Sequence, residues 1–176
     1  MVDVRLIWYP DDTDWAECKR RALLTVGKGL TRPDPPPSSW RHKILEARHS
    51  PIRRLWYGFL CVGIPSNIAT HFVRHKHLEP YVRTLRNDRQ SEVDGDKAPR
   101  DTPVNVIIDM NAEELMTVAN KRLCNLAAGK TQDYVKEMCR LAQEATPELE
   151  GLLVPMCEYC GGVCHEMRPC GKYETR

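Results

Sequence analysis

Arg74, His75 and Lys76 are followed, eight to thirteen residues after Lys76, by Thr84, Arg86, Asp88 and Arg89. Guanidinium, imidazole, ammonium and hydroxyl groups in one short stretch suit the holding of an anion. The arginines offer planar forks that match phosphate oxygens, Lys76 a point charge, and Thr84 a neutral hydroxyl. A solvated basic turn has the same composition and is the commoner outcome for an arbitrary Arg/Lys-rich loop. Here, however, the apolar run from Leu55 to Ile64 precedes the charges, and Pro80-Tyr81-Val82 interrupts them with residues that pack. A charged segment fastened to a core at both ends reads as a pocket wall.

The charge distribution supports a local anion site. The chain of 176 residues carries a net charge of only +2, too little for a general nucleic-acid binder. Residues 41 to 100 hold twelve basic against six acidic groups, while 101 to 176 hold eight against twelve. The positive field therefore centres on Arg74. No apolar run reaches the length of a membrane span, and Asp3 and Arg5 within the first apolar stretch argue against a signal peptide. A cytoplasmic protein with no membrane or nucleic-acid partner is expected, of a length that suits one domain.

Thiols in that compartment stay reduced. Cys18, Cys61, Cys124 and Cys139 sit in apolar or amphipathic patterns and read as small core residues. Cys157, Cys160, Cys164 and Cys170 are spaced C-x2-C-x3-C-x5-C beside Gly161-Gly162. Four such thiols suit a tetrahedral zinc or an iron–sulfur site. The spacing is looser than two C-x2-C knuckles, so ordinary reduced thiols and no bound metal are expected. His71 and His75, at i and i+4, with His77 nearby, suggest a zinc site more weakly; histidines so spaced more often line a pocket or core.

The elements that must position these groups are mixed. Val4 to Tyr9 alternates as a strand, and Thr13 to Val26 has helical spacing with Asp12 or Thr13 as cap. Gly27 to Ser39 is a proline-rich loop, Ser39 to Arg48 a short helix, and Arg53 to Ile64 a strand. Ser66 is placed to cap a helix with Ile68, Phe72 and His75 on one face. Residues 77 to 101 read as a long polar loop, usually a sign of function. Val104 to Ile108 is a strand, Asn111-Ala112-Glu113-Glu114 opens a helix with a capping box, and Gln132 to Ala145 forms a last helix.

This order of motifs resembles the flavin-dependent thymidylate synthases, the ThyX family. The run begins at His49-Ser50-Pro51 and passes through a strand and a helix into Arg74-His75-Lys76, then seven residues to Thr84, and Arg86. The family pattern is Arg-His-Arg, seven residues, Ser. Asn111, with Arg122 eleven residues on, resembles the family's later helix. The resemblance covers roughly residues 20 to 155 and implies a catalytic domain over 1 to 155 with a Cys-rich tail over 156 to 176.

The implied fold class is α+β, a mostly antiparallel sheet covered by helices, assembled as a homotetramer with sites between subunits. The implied reaction is reductive methylation of dUMP to dTMP. FAD is the cofactor, and NADPH and methylenetetrahydrofolate are the co-substrates. Arg74, His75 and Lys76 stand where the family has its catalytic motif. His71, Arg74, Thr84, Arg86 and Arg122 match positions that hold dUMP; His49, His75 and Asn111 match positions on the flavin side. No cysteine nucleophile is implied. Fixed cations around the uracil carbonyls and phosphate can polarise the ring without one, and FAD carries the redox work.

The chain also departs from the family. Lys76 replaces a bidentate fork by a point charge. The stretch to Val82 lacks the asparagine and glutamate before the family's serine. Glu113 stands where an arginine is usual, and Thr117 where an asparagine is. A charge reversal at Glu113 opposes an FAD pyrophosphate if that side chain faces it. Two further readings therefore stand beside the synthase: a related enzyme modifying C5 of a uridine nucleotide, and a non-catalytic nucleotide-binding homologue without flavin.

Overall fold

A computed structural model describes residues 2–173; Met1 and residues 174–176, the last three of the Cys-rich tail, lie outside the described residues. Four strands form one antiparallel sheet: β1 (Asp3–Trp8), β2 (Trp56–Pro65), β3 (Leu78–Val82) and β4 (Pro103–Asn111), in the order β1-β2-β4-β3. Among the described residues the helices are α1 (Asp12–Leu24), α2 (Ser38–Glu46), α3 (Ser66–Val73), α4 (Ala112–Arg122), α5 (Gly129–Ala145) and the single-turn α6 (Met156–Tyr159). The fold class is α+β, as expected.

Alternation decides which face of the sheet is core. Val104, Val106, Ile108 and Met110 of β4 are buried, and across the register Met110 meets Tyr57, Ile108 meets Phe59 and Val106 meets Cys61, all buried. Period-two patterning puts these side chains on one face. There they pack with Leu115, Met116 and Val118 of α4 and Val135, Met138 and Ala142 of α5 in one core. The Tyr57 hydroxyl, inside that core, donates to Thr146 Oγ1 at 3.1 Å.

The opposite face is open. Ile7, Trp8 and Tyr81 are exposed. With Trp56, Ile107 and Asp109 they line a shallow cleft of about 680 Å3. Gly58 lets this surface close up: a Cβ there would lie 2.8 Å from Asp109 Oδ1 and 3.2 Å from Trp8 Cβ.

Several boundaries differ from the sequence reading. Asp11, rather than Asp12 or Thr13, caps α1; its carboxylate accepts from Asp14 N at 2.9 Å while Asp14 accepts in return from Asp11 N at 3.3 Å. Ser50–Arg54 is a 3-10 turn, so β2 starts at Trp56. Ser66 is the first residue of α3, not its cap; its hydroxyl donates to Arg100 O at 2.6 Å. The segment read as a loop from 77 contains β3, paired with β4 from Leu78↔Met110 to Val82↔Val106. Pro80 is tolerated within β3 because this is an edge strand and needs only some of its N–H groups. Strand β4 extends to Asn111, and α5 starts at Gly129, earlier than expected. No described helix is long and apolar enough to cross a membrane.

Candidate functional site

The end of α3 places the basic motif. Ile68, Ala69 and Phe72 anchor the helix in the core. Arg74 is its C-cap residue, and His75 N donates to Phe72 O at 2.9 Å. The backbone thus delivers Arg74 to the surface and turns His75 inward against α4, with only 10 % of its side chain exposed.

There His75 lies between two charged groups. Arg122 Nε–H donates to His75 Nε2 at 3.1 Å, and His75 Nδ1 lies 3.0 Å from Glu114 Oε1. Since Nε2 accepts, the ring proton belongs on Nδ1 and is donated to Glu114. Glu114 is itself fixed: its backbone N–H donates to Asn111 Oδ1 at 3.0 Å, the N-cap bond of α4. The capping box is therefore half formed, because the Glu114 carboxylate turns to His75 instead of back to the cap. Arg122 is held a second time, donating from Nη2 to His71 O at 3.0 Å. His71 Nδ1 lies 2.7 Å from Thr131 Oγ1, a fully buried hydroxyl in the first turn of α5.

The electrostatics here are set by burial and by neighbouring cations. Arg122 is pushed below its ordinary value by burial and then by the nearby Arg74 charge. His71 is lowered by burial, then by Arg122 and Arg74. The three groups are close enough to repel one another, and among the described residues no carboxylate stands within ion-pair distance of either arginine. An anion between them would relieve that repulsion.

Other expected site residues lie elsewhere in the chain. Arg86 is exposed and closes a bidentate pair with Asp88, at 2.9 and 2.8 Å, within its own loop. Thr84 Oγ1 accepts from Arg86 N at 3.2 Å, a local turn bond. Lys76 is exposed. Arg74 and Arg122 are thus brought together, and Arg86 makes its bonds elsewhere. His49 lies on a cleft of about 580 Å3 with Trp40, Lys43, Ser50 and Pro51. None of Arg74, His75, Glu114 and Arg122 lines that cleft. Asn111 is buried and serves as cap.

Glu113 does not present a bare charge. It accepts from Arg53 Nε at 2.5 Å. Sequence reasoning missed this partner, and also Glu114 and Thr131 as supports of the site. Glu114 was visible only as a capping residue; nothing local shows that its carboxylate belongs to a histidine 39 positions away.

The cysteines divide unevenly. Burial pushes the thiols of Cys18, Cys61 and Cys139 up to about 12, as core residues. Cys124, expected with them, is only half buried, because it follows α4 into a loop. All eight are free thiols, and among the described residues no three His, Cys, Asp or Glu side chains stand ready to hold a metal.

No protein-family model and no curated protein sequence matches this chain. Solved structures do. Thymidylate Synthase X from Helicobacter pylori, with FAD and dUMP, matches with a TM-score of 0.68 at 16% identity over 87% of this chain and 99% of its own. A second structure of that enzyme matches with a TM-score of 0.65 at 16% identity, over 85% of this chain and 99% of its own. The UMP/dUMP methylase PolB from Streptomyces cacaoi, bound with 5-Br dUMP, matches with a TM-score of 0.66 at 13% identity over 84% and 92%. At these identities the likeness is one of fold: this chain has the ThyX-like α+β architecture over most of its length.

Proposed function

We propose that the chain is an enzyme acting on a uridine monophosphate, in the first place a FAD-dependent thymidylate synthase converting dUMP to dTMP. The observation that carries this reading is the half-buried Arg122, aimed by His75 and the His71 carbonyl beside Arg74, with no carboxylate among the described residues in ion-pair distance of either arginine. That arrangement suits the phosphate of a nucleotide. Both structural neighbours named for dUMP chemistry support the choice of nucleotide.

In this reading Arg74 and Arg122 hold the phosphate, and His75 positions Arg122 through the Glu114 bond. The donor set also fits FAD. Trp40, Lys43 and His49 offer an aromatic face and cationic or polar groups on an open cleft, and Arg53 neutralises Glu113, the charge that opposed an FAD pyrophosphate. Reduced FAD would supply the hydride, with methylenetetrahydrofolate as carbon donor and NADPH to recharge the flavin.

The cleft at His49 and the anion site at His75 share no lining residue within one chain. A homotetramer that shares sites between subunits would join them. The apolar sheet face with Ile7, Trp8 and Tyr81 supports such an assembly, since a patch of this kind marks an interface. Arg86 and Thr84, on an outward loop, would then serve a neighbouring subunit's site. Lys76, exposed beside the motif, would do the same.

The test is direct. Purified protein should be yellow with the spectrum of oxidised flavin, bind dUMP in calorimetry, and form dTMP when given NADPH and methylenetetrahydrofolate. Binding of dUMP by a colourless protein that does not quench added FAD would leave the non-catalytic reading, in which the scaffold has kept the nucleotide and lost the flavin. Flavin with no dTMP would favour another C5 modification.

A further inference from the structure

The segment after α5 has little apolar material to hold it in place. Between Met156 and Tyr173 only Cys164 is buried, while Met167 is fully exposed. The segment nevertheless folds back on the end of α4. The Tyr159 hydroxyl donates to Glu46 O at 3.0 Å, its ring stacks under Arg48 at 4.3 Å, and Arg48 bonds Asn120. Asn120 in turn donates to Val154 O at 2.7 Å. Between α4 and the folded-back segment lies a cavity of about 20 Å3. That is room for a single ion or water, not for an organic ligand.

Four cysteines line this cavity together with Met156: Cys124 from the loop after α4, and Cys157, Cys164 and Cys170 from the tail. The set is not the one that sequence proximity suggests. Cys160 is exposed, and its Sγ contacts Met156 Sδ at 3.7 Å. It is replaced by Cys124, 33 residues before Cys157 in the chain.

We propose that Cys124, Cys157, Cys164 and Cys170 form a four-thiolate zinc site that fastens the tail to α4. Four free cysteines that line one ion-sized cavity from two segments of the chain supply the four-sulfur set that zinc takes in closed structural sites. The surroundings match as well. Asn125 Nδ2 donates to Cys170 Sγ at 3.8 Å, and Lys172 lines the same cavity. A donor to sulfur and a nearby cation stabilise a four-thiolate zinc complex, which carries excess negative charge. Because no three ligands already stand at metal-holding separation, binding must draw the tail sulfurs inward, and folding of the tail is coupled to the metal. On binding, each thiol that ligates gives its proton to solvent and its lone pair to zinc.

The test uses the whole chain, purified under reducing conditions from zinc-supplemented medium. Elemental analysis should find about one zinc per chain, as a closed structural site requires. Cys164→Ser and Cys124→Ser should each lose at least about nine tenths of it, and Cys160→Ser should retain it. Replacement by cobalt should give the absorption of tetrahedral four-sulfur coordination. Wild-type protein with less than about one tenth of a zinc per chain would overturn the proposal. So would stoichiometric iron, a loss of zinc in Cys160→Ser equal to that in Cys164→Ser, or a cobalt spectrum with nitrogen coordination, which would point to His165. The wild-type measurement decides even if Cys124→Ser fails to fold.

Discussion

Arg122 donates from Nε to Nε2 of His75 at 3.1 Å, across 47 positions of sequence. Because Glu114 takes the opposite ring nitrogen at 3.0 Å, the imidazole acts as a spacer that aims a guanidinium and leaves its remaining N–H groups for a ligand.

Replacing Arg74 or Arg122 with Ala should therefore weaken dUMP binding by about 1.5 to 3 kcal/mol, the worth of a hydrogen bond to a charged group. Isothermal calorimetry reads this directly. Unchanged affinity in both variants would remove the phosphate assignment.

Glu114→Gln should disturb the site without touching a ligand. An amide can donate to Nδ1, which favours the other tautomer and sets His75 Nε2–H against Arg122 Nε–H. The loss of one buried partner should cost about 1 to 3 kcal/mol of stability in denaturant titration, and nitrogen NMR of His75 should show the tautomer change. A stability loss with the original tautomer retained would reduce Glu114 to a packing role.

Arg86 provides a test of shared sites. It is tied to Asp88 in an outward loop, so in an isolated chain Arg86→Ala should leave the Arg122 pocket intact. If subunits share sites, mixing Arg86→Ala with Arg122→Ala protein should restore activity to part of the sites, beyond the sum of the two alone. Strict additivity on mixing would confine each site to one chain.

Stability should fall as the solution is acidified through the histidine range. His71 is held below its ordinary value of 6.5 by burial first, then by Arg122 and Arg74. The folded chain then binds fewer protons than the unfolded chain between the two values, so stability rises with pH there. The contribution is fully present above pH 6.5 and is lost as pH falls through the lower, folded value. Thermal melts from pH 5 to 8, compared with His71→Gln, isolate this part; a variant with the same slope would assign it elsewhere.

Local chemistry alone determined much of this protein. Alternation in β4 and the apolar run of β2 were legible because a half-buried strand must alternate and a central one must be largely apolar. Asn111 was legible as a cap because an N-cap bond closes over three residues. The basic cluster at Arg74 was legible as composition. What tertiary structure decided was partnership. Arg74 joined Arg122 while Arg86 closed on Asp88; Glu113 found Arg53; Glu114 left its capping box for His75; and Cys124, not Cys160, joined the tail cysteines. Spacing fixes which face of an element a side chain occupies, but long flexible side chains choose partners after the elements have packed. Residues 78 to 82 make the same point for backbone: in sequence they read as part of a long polar loop, and pairing with β4 made a strand, whose edge position does not require the N–H that Pro80 lacks.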